Sequence, residues 1–294
     1  MRNLVVNIPE QIRSKAEEIL GCQIFGIHEP ILNLQRLKLY EVDSDMGKAW
    51  AQWTSDPSQK ALEHSMESYR MLQSTFTFKA LTPIYWGALE QGSLVLFQYV
   101  EMQPIGAENY HLFGSTLATL HKTRTPWSFG FDRDITFQGN LIRRGWARSW
   151  PEFLSHLAHT LLEDKRWQKH ETIVIKARSC LTDALMRLSS MEIRPTLLHG
   201  NLKVDECFKT KDEELVLLAP RSFYGHAALD LARLKMNTSL DAYTEILKGY
   251  KQFDEDAPLT NLYQALYALP NFLESPEEWK QPLEELLYNA SKWT

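Results

Sequence analysis

The sequence predicts an α+β protein in two parts, a small antiparallel-sheet part with a helix over residues 1–100 and a larger, mainly helical part over 101–294. Three observations predict it. Residues 31–53 read as a β-hairpin around the turn-rich stretch Asp43–Gly47. From Ala107 onward, apolar residues recur at helical spacing. A length of 294 residues can bury the cores of two lobes.

Taken in order, Pro9–Leu20 is an amphipathic helix with Ile12, Ala16, Ile19 and Leu20 on one side and Gly21 just past its end. Ile31–Val42 and Lys48–Trp53 form the hairpin strands. Asp56, Pro57 and Gln59 supply N-cap, N1 and capping-box residues for a helix whose stripe is Leu62, Met66, Tyr69 and Leu72. Ala80–Gly92 is a strand-rich connector, Gly92–Val100 the last strand of the small part, and Gln98–Met102 the hinge. Helices follow over Ala107–Lys122, from Trp150 through Leu162, and over Ile173–Leu188, Asp241–Gln252 and Leu259–Leu273. His121, closing the first of these, is expected to be a structural hydrogen-bonding histidine.

Composition excludes several classes. With 44% hydrophobic and 23% charged residues, a net charge of −5 and dispersed lysines and arginines, the chain gives no reason to expect nucleic acid or an anionic membrane as partner. Cys22, Cys180 and Cys207 are odd in number and lack C-x-x-C spacing, which points to reduced thiols in the cytoplasm. The first residues have no apolar signal core, and no window approaches a membrane span.

The chemistry-bearing stretch is RPTLLHGNLKVDECFKTKDEELVLLAPRSFYGHAALDLAR, Arg194–Arg233. Apolar runs Thr196–Leu198 and Leu215–Leu218 flank one polar loop, and a second polar loop follows. This is the layout of a phosphotransferase catalytic loop and metal-binding turn, where an acid orients the hydroxyl and oxygen ligands hold magnesium. The stretch resembles the fructosamine/ketosamine-3-kinase family of the aminoglycoside-phosphotransferase and protein-kinase-like superfamily. That family's pattern is H-G-D-L-W-x-G-N, then D-P-A-S-F-Y-G-H and D-L-A. His199, Gly200, Leu202, Pro220, Ser222, Phe223, Tyr224, Gly225, His226, Asp230, Leu231 and Ala232 agree with it. Pro126–Trp150 is similar to a further family segment through Phe129, Gly130, Asp132, Asp134, Gln138, Asn140, Trp146 and Trp150. The resemblance implies a two-lobed protein-kinase-like fold, ATP and Mg2+ as cofactors, and a substrate side formed by Asp132, Asp134, Gln138, Asn140, Tyr224 and His226.

At the chemical positions the sequence departs from the family. The catalytic aspartate falls on Asn201, the metal asparagine on Glu206 and the metal aspartate on Ala219. The phosphate lysine falls on Gln52 and its glutamate partner on Ser65. Lys48 lies on the same strand face but about 13 Å away, at ~3.3 Å per residue. Glu29 and Pro30 stand near the family's paired glycines, Ala158 replaces an arginine and Lys203 a tryptophan. Gln52, Ser65 and Gln98, the last at the hinge, make up a degenerate nucleotide site, Asp205 and Glu206 are candidate metal ligands, and His199 is structural. The expectation is a pseudokinase, a binding or regulatory module without a cofactor, whose small-molecule or protein partner is unassigned. The alternative is an active ATP-dependent ketosamine kinase, or another small-molecule phosphotransferase, using a non-standard site.

Overall fold

The computed structural model describes residues 8–34, 37–55, 58–123, 125–143, 145–251 and 255–293. In chain order its elements are α1 (Ile8–Leu20), β1 (Ile24–Ile27), β2 (Leu32–Leu34), β3 (Leu37–Ser44), β4 (Gly47–Thr54), α2 (Gln59–Ser74), β5 (Pro83–Ala88), β6 (Ser93–Gln98) and β7 (Met102–Pro104). Then come α3 (Tyr110–His121), β8 (Ile135–Phe137), β9 (Asn140–Ile142), α4 (Trp150–Leu162), α5 (Glu171–Ser189), β10 (Thr196–Leu197), β11 (Cys207–Thr210), β12 (Leu215–Leu217) and β13 (Tyr224–Gly225). The chain ends in α6 (Ala228–Met236), α7 (Leu240–Tyr250), α8 (Ala257–Glu274) and α9 (Pro276–Ala290). It divides into two units, Met1–Pro104 with Asp205–Leu218, and Ile105–Val204 with Ala219–Thr294.

The first unit is an antiparallel sheet in the order β1-β3-β4-β6-β5, with β2 added to β3. Alternation sorts its faces. On one, Tyr40, Val42, Ala51, Trp53, Leu94 and Leu96 pack against Ile12 and Ala16 of α1. On the other lie Leu39, Glu41 and Asp43 of β3 beside Lys48, Trp50 and Gln52 of β4, a set fixed by the register that pairs Asp43 with Lys48 and Leu39 with Gln52. There α2 packs its Tyr69 edge-on to Phe97 at 5.1 Å.

Four boundaries differ from the sequence expectation. The strand expected over Ile31–Val42 is two strands, β2 and β3, paired antiparallel. The cap of α2 is Ser58, whose hydroxyl accepts from the Ala61 N–H, while Asp56 and Pro57 lie outside the described residues. Met102, expected in the hinge, belongs to β7, which pairs with β11. Asp205–Leu218, expected with the helical part, therefore joins the first unit as the sheet β12-β11-β7.

The second unit is helical around Trp150, whose indole N–H donates to the Tyr263 hydroxyl at 2.7 Å. Caps explain the helix starts: Ser149 for α4, Ser239 for α7 and Asp256 for α8 each accept a backbone N–H of the first turn. The sequence reading has no counterpart for α9, although Leu283, Leu287 and Ala290 give it a buried stripe.

Candidate functional site

In the first unit the lysine position is neutral. Gln52 is 2% exposed, and its side-chain oxygen accepts from the Tyr69 hydroxyl at 3.0 Å. Tyr69 sits one helical turn beyond Ser65, which is buried with no hydrogen-bond partner for its hydroxyl among the described residues. An amide and a phenol thus meet where the family resemblance implies an ion pair.

The rest of that sheet face is acidic. Tyr99 donates to Glu41 at 3.2 Å, and His28 Nε2 lies 2.7 Å from Asp43. The Lys48 ammonium pairs with Glu41 and lies 3.7 Å from Asp43. His28, then Lys48, holds the Asp43 carboxyl below its usual range, and Glu41 raises Lys48. Lys48 is therefore committed to neighbouring carboxylates. The turn above offers little to a phosphate: the N–H groups of His28 and Ile31 donate to Glu41 O and Leu39 O, and Pro30 has none. His28, Glu41 and Asp43 are also the one set of three or more potential metal ligands that meet among the described residues. Asp205, exposed, and Glu206, buried just before β11, are not in such a set. Gln98 is exposed at the end of β6, its N–H donating to Thr82 O at 2.9 Å.

The second unit holds the loop that carries Asn201. Asp230 on α6 is fully buried, and its carboxylate accepts from His199 N at 2.7 Å and Gly200 N at 2.9 Å. His121 Nε2 lies 3.3 Å from the same carboxylate and its Nδ1 2.8 Å from the Tyr250 hydroxyl, a structural role as expected. Gly200 has φ +80, and a Cβ there would lie 2.0 Å from Arg221 O, so only glycine fits.

Asn201 is fixed from two sides. Its side-chain oxygen accepts from Gln138 Nε2 at 3.1 Å and from the Arg233 guanidinium at 3.3 Å. Arg233 lies 4.8 Å over the Tyr267 ring, and the Tyr267 hydroxyl donates to Gly200 O at 3.3 Å. Of the substrate-side residues, the structure brings Gln138 to Asn201 and uses Asn140 to brace the turn, its Nδ2 donating to Gln138 O at 3.1 Å. Asp132 is exposed and paired with Arg133. Tyr224 lies in β13 with its ring 5.8 Å from Trp146. His226 is enclosed by Trp150 and Tyr263, and burial, then His121, pushes it down to about 4. Ala219 is buried with φ +51, a backbone conformation that suits asparagine or aspartate better than alanine, and its methyl cannot ligate a metal. Sequence reasoning missed Arg233 and Tyr69 as site residues. The signal for Arg233 was its spacing from Asp230, one turn along the same helix.

A family model described as fructosamine kinase matches residues 38–287. A probable ketoamine kinase of Escherichia coli K12 is 26% identical over 196 residues, which span 63% of this chain and 66%, just under two thirds, of that relative. The chloroplastic protein-ribulosamine 3-kinase of Arabidopsis thaliana is 26% identical over 163 residues, 54% of this chain and 50% of that relative. Among solved structures, a candidate fructosamine-3-kinase from Thermobifida fusca gives a TM-score of 0.73 at 18% identity, with 96% of this chain and 99% of that chain covered. The choline kinase LicA from Streptococcus pneumoniae gives 0.64 at 12% identity over 97% and 99% of the two chains. Those likenesses show the kinase-like fold, and the family match over most of the sequence establishes that the chain belongs to the fructosamine kinase family.

Proposed function

We infer that this chain is a pseudokinase of its family, a ligand-binding or regulatory module in which ordinary Mg·ATP phosphotransfer is impaired. One observation carries the reading: the Asn201 oxygen, at the position of the family's catalytic aspartate, is already occupied by Arg233 and Gln138. An amide cannot take a proton, and this one has no acceptor turned outward to orient a hydroxyl. The neutral Gln52–Tyr69 pair and the Ala219 methyl support the same conclusion. Removal of one such positioning group commonly costs about two to four powers of ten in rate. The three thiols are free, which supports a cytoplasmic location, and among the described residues no helix is long and apolar enough to cross a membrane.

The second reading, an active ketosamine kinase with ATP and magnesium, is favoured by the relatives' names. A transfer assay with labelled ATP, magnesium and a fructosamine separates the two. No transfer and no magnesium-dependent thermal stabilisation by ATP are expected. Transfer that Asn201→Ala abolishes would overturn the pseudokinase reading.

A further inference from the structure

The polarity of Asn201 decides what the loop can recognise. Arginine has donors only, so Asn201 must turn its oxygen to Arg233. Gln138 faces the same oxygen and so must present its amino group. The Asn201 amino group is left pointing away from both, and a guanidinium pulling on the oxygen strengthens the N–H groups as donors.

The holding turn is itself strained. Gln138 and Gly139 join β8 to β9 with φ +48 and φ +79. A turn with both residues left-handed favours asparagine, aspartate or glycine in the first place, not glutamine. Glutamine held in a sparsely populated conformation, with Asn140 bracing its carbonyl, is the kind of strain that persists where a side chain must reach a set point. On the other side Arg233, 6% exposed, is fixed by Tyr267. Asp230 spends its carboxylate on the loop's own N–H groups.

We propose that Asn201, positioned by Gln138 and Arg233, donates to an oxyanion of the ligand, so that the site takes the sugar-phosphorylated form of a ketosamine in preference to the free ketosamine. The proposal rests on the loss of phosphotransfer inferred above. A sugar hydroxyl can meet either a donor or an acceptor, whereas an ionised phosphate oxygen can only accept. A carboxylate at this place would therefore repel the phosphate, and the fixed amino group attracts it.

Calorimetric titration of the full chain, without nucleotide or magnesium, tests this with fructosyl-lysine, its sugar-phosphorylated form and inorganic phosphate. The phosphorylated form should bind about tenfold more tightly than the free form, the difference expected of one hydrogen bond to a charged acceptor. Asn201→Asp should abolish that preference. Gln138→Met should reduce it, a ratio of affinities that a merely structural role would not move. Equal wild-type affinities, an unchanged ratio in Asn201→Asp, or inorganic phosphate binding as tightly as the phosphorylated ketosamine would each overturn the proposal. Transfer from ATP in the separate assay would refute the pseudokinase reading without altering either affinity.

Discussion

Tyr69 donates its hydroxyl proton to the side-chain oxygen of Gln52 at 3.0 Å, and both side chains are buried. A lysine substituted at this point would bury an ammonium with Ser65, not a carboxylate, one turn away. Gln52→Lys should destabilise the protein by roughly 2–4 kcal/mol, with the lysine pKa pushed down by desolvation. Ser65→Glu added to it should recover part of the loss. Urea midpoints for the single and double variants check this, and a double variant no more stable than the single would contradict the assigned register.

Asn201→Asp should place a carboxylate in ion-pair reach of Arg233. That carboxyl should titrate below the ordinary aspartate range, about 3.9, because the guanidinium favours its charged form. The stability it adds is present above the unfolded pKa and lost as pH falls through the folded one. Carbon NMR of the labelled side chain gives the titration. A value above the ordinary range would exclude the pairing.

His226 gives the wild type a pH dependence of the opposite chemical origin. It is held neutral, titrating at about 4, with the Tyr263 hydroxyl 2.9 Å from its Nδ1, His121 reinforcing the shift and Asp256 opposing it. The unfolded chain takes up the proton near pH 6.5, so stability is whole above that and falls as pH drops towards 4. The loss across the window is about 3 kcal/mol. His226→Gln should flatten it in urea melts at about pH 7 and about pH 4.5, and equal slopes in the two proteins would count against the assignment.

Ala219→Gly should stabilise the protein, against the usual cost of glycine. The backbone there has φ +51, which an L-residue adopts at a cost glycine does not bear. A gain of about 0.5–1 kcal/mol is expected from denaturant midpoints. A loss of stability would mean that the left-handed conformation is not what Ala219 adopts in solution.

Asp230→Asn should cost about 1–3 kcal/mol, since the carboxylate accepts two buried backbone N–H groups and an amide can serve only one without turning a donor towards a donor. Thermal melts check it. An unchanged midpoint would remove Asp230 as the anchor of the loop.

What was legible in the sequence was local. The stripe Ile12, Ala16 identified α1 as an amphipathic helix, and the even spacing of Lys48 from Gln52 placed the two on one strand face, as the register has them. The family motif found the Asn201 loop and the Asp230 anchor. What escaped depended on residues far apart in the chain. Arg233 acts on Asn201 across 32 positions, and its one local hint was its place a turn beyond Asp230 on α6. Tyr69 looked like one more apolar stripe member until its hydroxyl met Gln52. The hairpin at Gln138–Gly139 lacks the asparagine or aspartate that marks such turns. The pairing of β7 with β11 has no local signature at all.

That last pairing sets an order in time. Met102–Pro104 meets Cys207–Thr210 only after the hundred residues from 105 to 204 have been synthesised. At ~5–20 residues per second on the ribosome, the delay is about 5–20 s. Through that interval β7 has no partner on the side where β11 will lie, and an unpaired strand edge is open to pairing with another chain. A nascent chain of this protein is thus most exposed to misassembly midway through translation, and slowing synthesis between Pro104 and Asp205 should lower the soluble yield more than slowing it after Leu218.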